Sequence, residues 1–187
     1  FDTPNEEAYK DYIFCLERIY QYSDYIAVNI SSPNTEGLRN LGHPAYLDSL
    51  LKKIKTKQTE LSATNGYKPI FIKISPDENR DNIKIICDHI LINKIDGIIC
   101  SNTSIHHEDE NGPGGLSGSP LKDLSTLKLK EVREIVGPDF PIVACGGVMS
   151  ANDFQEKVSA GANSVQIYTG FIFEGPKLVL DIVKIVS

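Results

Sequence analysis

Residues 141–150 read PIVACGGVMS: an apolar run of strand character, two adjacent glycines, then Ser150 where a helical pattern begins. Gly146 and Gly147 allow backbone N–H groups to approach an anion without side-chain obstruction, and a helix N-terminus behind them adds a favourable dipole. A tight turn alone can also demand two glycines. The choice between these readings depends on what the rest of the chain does at the same relative places.

Outward from this stretch the pattern alternates. Strand-like apolar runs fall at 25–30, 70–74, 97–100, 142–145 and 164–168. Between and around them apolar residues recur at helical spacing. The first helix carries Tyr9, Tyr12, Leu16 and Tyr20 behind Thr3-Pro4-Asn5-Glu6, which reads as a capping box. Further helices are expected near 44–60, 79–93, 125–136 with Ser125 as cap, 151–160 with Ser150 as cap, and 176–186. Strands alternating with helices mean an α/β protein with a parallel sheet.

The connections are unequal. Helix-to-strand links such as NKID (93–96) and AGAN (160–163) are short and bland. Strand-to-helix links hold nearly all the unusual chemistry, from NISSPNTEGLRNLG after the first strand to YTGFIFEG after the last. Both (β/α)8 barrels and doubly wound sheets bind ligands at the carboxyl ends of their strands. A (β/α)8 TIM barrel is the better choice, because barrels commonly place phosphate after their last two strands, here ending in GG and YTG. No GxGxxG follows the first strand, which weakens the doubly wound alternative. A complete barrel has eight strands and about 250 residues. The expectation is therefore an incomplete barrel comprising about the last five strands, since five alone would leave two raw edges.

Bulk properties narrow the partners. The 187 residues are 41% hydrophobic and 24% charged, with a formal net charge of −6. No Lys/Arg-rich face emerges, so nucleic acid is not expected as a partner. Cys15, Cys87, Cys100 and Cys145 stand far apart, and are read as reduced thiols with no metal site. No apolar run approaches the roughly 18–20 residues of a membrane span.

Several residues at the strand ends invite chemistry. Lys73, inside IFIKIS, faces either a barrel mouth or solvent. It could stabilise developing negative charge or, if buried, lose its proton and form a Schiff base. Asn29, Asn34 and Asn102 place amides at one end of neighbouring strands, able to read the donor and acceptor edges of a planar ligand. Each alone could be an Asx turn or cap. The loop 104–120 carries HHEDE at 106–110 and reads as a solvated lid; His106 and His107 point different ways and would need other ligands to hold a metal. Asp77, after Pro76, resembles a helix-start residue.

Taken together, NISSPNTEGLR, IKISPD, CSNTS, GGLSGSPLKDLST, PIVACGGVMS and AGANSVQIYTGFIFEGP resemble dihydroorotate dehydrogenases of class 2, the quinone-linked type, over essentially all of the chain. Class 1 members resemble the same pattern but carry cysteine where this chain has Ser32. The resemblance implies a flavoprotein with FMN as cofactor, oxidising (S)-dihydroorotate to orotate in pyrimidine biosynthesis. Ser32 would match the base removing the C5 proton as hydride leaves C6 for flavin N5, with Thr35 relaying that proton. Asn29, Asn34, Asn102 and Thr103 match substrate-contacting positions. Asn29, Lys73, Ser101, Gly118, Gly147, Tyr168 and Thr169 match flavin and phosphate contacts.

The resemblance also implies that residues 1–187 are the C-terminal part of a single FMN-binding barrel domain, lacking membrane-associating N-terminal helices and the first strands. As such it is not expected to work alone. A membrane quinone would be the partner, with peripheral attachment to the cytoplasmic face of the bacterial inner membrane or, alternatively, the mitochondrial inner membrane. The rival readings are another flavin barrel, such as a dihydropyrimidine-oxidising domain, and an inactive barrel remnant. Ser32 in place of cysteine argues against the first.

Overall fold

Each apolar run pairs in parallel with the next in sequence: β1 (Ile26–Asn29), β2 (Ile70–Ile74), β3 (Gly97–Cys100), β4 (Ile142–Cys145) and β5 (Ser164–Gln166), in the order β1-β2-β3-β4-β5. The computed structural model describes residues 3–32, 37–106 and 114–186. With strictly sequential order every crossover advances the same way, and a common right hand then sets the crossover helices on one face. A doubly wound sheet instead reverses its order part-way and carries helices on both faces. The helices α1 (Tyr9–Ile19), α2 (Pro44–Asn65), α3 (Arg80–Ile92), α4 (Lys122–Val136) and α5 (Ala151–Ser159) pack each on the next, and α7 (Pro176–Val186) closes on α5. A short helix, α6 (Thr169–Glu174), precedes α7. This is the strand order and helix layering of a (β/α) barrel.

Strand alternation divides the two faces. Ile26, Val28 and Ile30, with Ile70, Ile72, Ile74, Ile98, Ile142 and Ala144, are buried in one core with Leu47, Leu51, Ile83, Ile90 and Leu129 from the helices. The other parity faces away from the helices. There Asn29 pairs with Lys73, Lys73 with Ile99, Ile99 with Val143 and Val143 with Ser164. Across this second face Gln166 Nε2 donates to Tyr25 OH at 2.9 Å, and Tyr25 meets Phe71 edge to face. In a flat sheet the outer strands of five would lie about 19 Å apart, at about 4.8 Å per step. Two side chains cannot bridge that gap, so the sheet is curled with this face inside.

At the end remote from the strand carboxyl termini, Asp96 ties three elements together. Its carboxylate accepts from Ile70 N at 2.8 Å and Gln58 Nε2 at 2.9 Å, and also from Tyr67 OH, with Lys55 Nζ at 3.4 Å. Burial pushes the Asp96 carboxyl up, but these hydrogen bonds and the Lys55 charge hold it below the ordinary carboxylate range.

Three local expectations fail for physical reasons. The capping box at residues 3–6 does not form. Hydrogen-bonded turns carry residues 4–8 instead, and α1 starts at Tyr9 with no side-chain cap. Ser125 does not cap α4, because Pro120 starts a 3-10 turn, Ser119–Leu121, that runs directly into the helix at Lys122. Ser125 thus becomes a buried interior residue. The last strand stops at Gln166, as Tyr168 turns away (φ −131°, ψ −77°) to open the unexpected α6. The Ser150 cap does form, its Oγ accepting from Asp153 N at 3.2 Å.

Replacing Asp96 by alanine strands the Ile70 N–H and one Gln58 amide hydrogen, the other donating to Lys68 O, and should cost about 2–3 kcal/mol in urea unfolding. Because its folded pKa lies below the unfolded value, the contribution of Asp96 is present above about pH 4 and is lost as pH falls through the folded value. Asp96→Asn should correspondingly flatten the acid limb of the stability profile. An acid limb of unchanged slope in that variant would contradict this assignment.

Candidate active site

The loops that follow β3, β4 and β5 enclose a cavity of about 240 Å³ at the carboxyl ends of the strands. Lys73, Ser101, Asn102 and Thr103 line one side, and Gly118, Gly147, Tyr168 and Thr169 line the other. Ser117, Cys145, Gly146 and Gln166 also contribute, and Leu121, Val148 and Ile167 add an apolar part to the wall.

Two glycines allow the loops to close this tightly. Gly147 has φ +76°, and a Cβ there would lie 2.2 Å from the backbone of Lys122 at the start of α4. Gly118 has φ +75°, and its Cβ would lie 2.9 Å from the Thr169 methyl. Any side chain at either place would both strain the backbone and push a neighbouring loop away. Beside Gly118, the Ser117 and Thr169 hydroxyls hydrogen-bond at 2.8 Å, joining the loop after β3 to that after β5.

The helix N-terminus behind the glycine pair is not open to a ligand. The Asp153 carboxylate accepts from Met149 N at 3.0 Å and Ser150 Oγ at 2.8 Å, and pairs with Lys122 at 2.7 Å. The backbone of residues 146–148, rather than the α5 dipole, is what the cavity presents to an anion.

On the other side the amides form a connected cluster. Asn102 Nδ2 donates to Asn29 Oδ1 and to Ser31 Oγ, both at 3.1 Å. Ser31 N also donates to Asn29 Oδ1 at 3.1 Å, and Ser31 Oγ donates to Lys73 O at 2.8 Å. Tyr12 OH holds Asn29 O at 2.7 Å; burial pushes this phenol up to about 12, so it remains a neutral donor. The backbone after β3 is fixed from both flanks, Ser101 N donating to Cys145 O and Asn102 N to Ile74 O, each at 2.9 Å. Lys73 takes the inward parity and lines the cavity, which decides its orientation. Burial raises the Cys145 thiol against the pull of Lys73 and Lys157, so it is protonated at neutral pH.

A half-buried ion pair binds three strand-end loops together. Arg39 Nη1 donates to Asp77 Oδ2 at 2.8 Å, and Arg39 Nη2 reaches Thr103 O at 3.4 Å. The same carboxylate accepts from Ser104 Oγ and from Ile105 N at 3.0 Å. Burial alone would raise the Asp77 carboxyl, but Ser104, Ile105 N–H and the Arg39 guanidinium together hold it below its usual range. Asp77 is therefore not the helix-start residue its position after Pro76 indicated: Asn79 caps α3.

The structure gathers Lys73, Ser101, Asn102, Thr103, Gly118, Gly147, Tyr168 and Thr169 around one cavity; Asn29 does not line it and is linked to it only as acceptor from Asn102 Nδ2. Ser32 is half-buried one residue beyond Ser31 and does not line the cavity wall. Asn34 and Thr35, and His107 of the expected lid, lie outside the described residues. His106 is exposed, with Nε2 4.0 Å from Asp77 Oδ1. Among the described residues no three His, Cys, Asp or Glu side chains converge as a metal site, and no helix is long and apolar enough to cross a membrane. Sequence reasoning passed over Ser31 and the Arg39–Asp77 pair. Strand parity through Asn29 pointed to the former, whereas no local pattern announced the latter.

Comparison with known proteins agrees with this geometry. The family profile for dihydroorotate dehydrogenase matches residues 3–187. The chain is 46% identical to dihydroorotate dehydrogenase (quinone) of Shewanella sediminis and 48% identical to that of Vibrio atlanticus, in each case over 98% of its own length. It spans 56% of the length of these relatives. Ligand-free dihydroorotate dehydrogenase of Eimeria tenella superposes with a TM-score of 0.89 at 30% identity, over 98% of this chain and 55% of that one. With five sequential parallel strands and a profile match over nearly its whole length, the chain belongs to the dihydroorotate dehydrogenase family.

Proposed function

We propose that the intact protein oxidises (S)-dihydroorotate to orotate at this cavity, with FMN as bound cofactor and a quinone as final acceptor. The observation that carries the reading is the joining, in one cavity, of a cation-and-amide wall to a glycine-lined wall. FMN has the same two-part chemistry, a polar ring edge and a phosphate. The residues present fit it: Gly118 and Gly147 leave backbone exposed where a Cβ would fill the space, and Lys73 supplies a cation on the opposite side. The relatives, dihydroorotate dehydrogenases of the quinone type, supply the substrate and acceptor.

On this reading the chain contributes five units of a single barrel domain. Gly118, Gly147, Tyr168 and Thr169 hold the phosphate end, and Ser101 and Lys73 hold the ring. Bound there, FMN supplies a two-electron acceptor for the hydride leaving C6 of the substrate. Asn102, Asn29, Asn34 and Thr103 hold the planar acid through its amide and carboxylate edges. Ser32 takes the C5 proton and passes its own to Thr35, since a free hydroxyl is too weak a base unless its proton moves on. Lys73 stabilises negative charge that builds up within the cavity. Quinone access by peripheral contact with the cytoplasmic face of a bacterial inner membrane belongs to the part of the relatives' length that this chain does not span.

Two substitutions in the intact protein test these roles. Ser32→Ala should keep its flavin and slow single-turnover flavin reduction by dihydroorotate about 10²–10⁴-fold. Undiminished reduction would remove Ser32 from the chemistry. Asp77→Asn should loosen the loop bearing Thr103 and lower kcat/KM for dihydroorotate about 10-fold or more at full flavin occupancy. Unchanged kcat/KM would show that the Arg39–Asp77 pair does not position the substrate side.

A further inference from the structure

Lys157 is a lysine on α5 with 1% relative exposure, buried away from the cavity wall. Its ammonium donates to three oxygens of α4: Thr126 Oγ1 at 2.6 Å, Ser125 Oγ at 2.7 Å and Lys122 O at 3.2 Å. No carboxylate joins it among the described residues, because Asp153 and Glu156 of the same helix pair with Lys122 instead. A buried cation without a counter-ion is costly and calls for an account.

Ser125 supplies one. Its Oγ lies 3.0 Å from Gly146 O and 3.0 Å from Lys122 O, and it has a single proton to give. Lys122 O is already approached by Thr126 Oγ1 at 2.8 Å and by Lys157, so the Ser125 proton goes to Gly146 O. The ammonium polarises the hydroxyl and strengthens that donation. The Gly146–Gly147 peptide is trans, so its carbonyl and the following N–H point in opposite directions. Fixing Gly146 O against α4 therefore aims Gly147 N–H away from α4, where Gly147 lines the cavity. Burial lowers the Lys157 pKa to about 8, with Cys100, Cys145, Asp153 and Glu156 as the titratable groups around it, so a positive charge is retained at neutral pH.

We infer that Lys157 is a positioning residue for a phosphomonoester at the Gly146–Gly147 turn, acting through Ser125 to hold the turn's N–H toward the anion and to place a buried positive charge behind it. The inference rests on the proposed anion site and names the residue that tunes it.

FMN and riboflavin differ by the phosphate alone, so their affinities for apoprotein prepared from the intact holoenzyme separate this role from general packing. In Lys157→Met the dissociation constant for FMN, followed by flavin fluorescence quenching, should rise about 10-fold or more. That for riboflavin should stay within about twofold. Equal weakening of both ligands, or of neither, overturns the inference. Should the methionine variant fail to fold, Ser125→Ala breaks the same chain with a smaller change and should weaken FMN selectively about 3-fold or more. Unchanged FMN affinity there overturns the inference as well. A wild-type protein with no preference for FMN over riboflavin would instead remove the anion site itself.

Discussion

Ile70, Ile72 and Ile74 are fully buried against the helices, and Ile26, Val28 and Ile30 are held the same way beside them. With side chains alternating along each strand, that burial commits Phe71, Lys73, Ala27 and Asn29 to the opposite face. Helices on one side only make that opposite face the inside of a curled sheet, and the carboxyl ends of the inward rows become its mouth. The cavity, the amide cluster and the direction of Lys73 all follow from this division. A one-residue slip of any strand would exchange its buried and cavity-facing sets at once.

The two walls of the cavity are stabilised by different means. The glycine-lined wall depends on close approach, Gly147 against Lys122 and Gly118 against Thr169, backed by the Lys157–Ser125–Gly146 chain. The amide wall depends on polar links between distant segments, Asn102 to Asn29 and Arg39 to Asp77. Close packing dominates the first, whereas hydrogen bonds and a half-buried ion pair fix the second. On the proposed reading, changes to the first should act on cofactor retention and changes to the second on substrate handling.

Much of this was legible in the chain. The alternation of periods placed all five strands and most of the helices, and the contrast between bland and polar links pointed to the end of the sheet where the cavity opens. What escaped was decided by tertiary context. Ser125 fits a helix cap locally, yet Pro120 starts the helix earlier and turns that serine into a buried bridge. Ser31, the hub of the amide cluster, continues the inward parity of Asn29, a signal that lies in strand alternation rather than in any motif. Arg39 and Asp77 meet only because two crossovers begin at the same mouth, which no spacing along the chain records.

The central claim is that this mouth holds a flavin that accepts electrons from dihydroorotate. Anaerobic addition of (S)-dihydroorotate to the purified intact protein, followed by visible absorption, tests it most directly. The account predicts a yellow protein whose oxidised-flavin band bleaches in proportion to the dihydroorotate added, with orotate as product. A colourless protein, or a flavin band that persists in the presence of excess dihydroorotate, would contradict it.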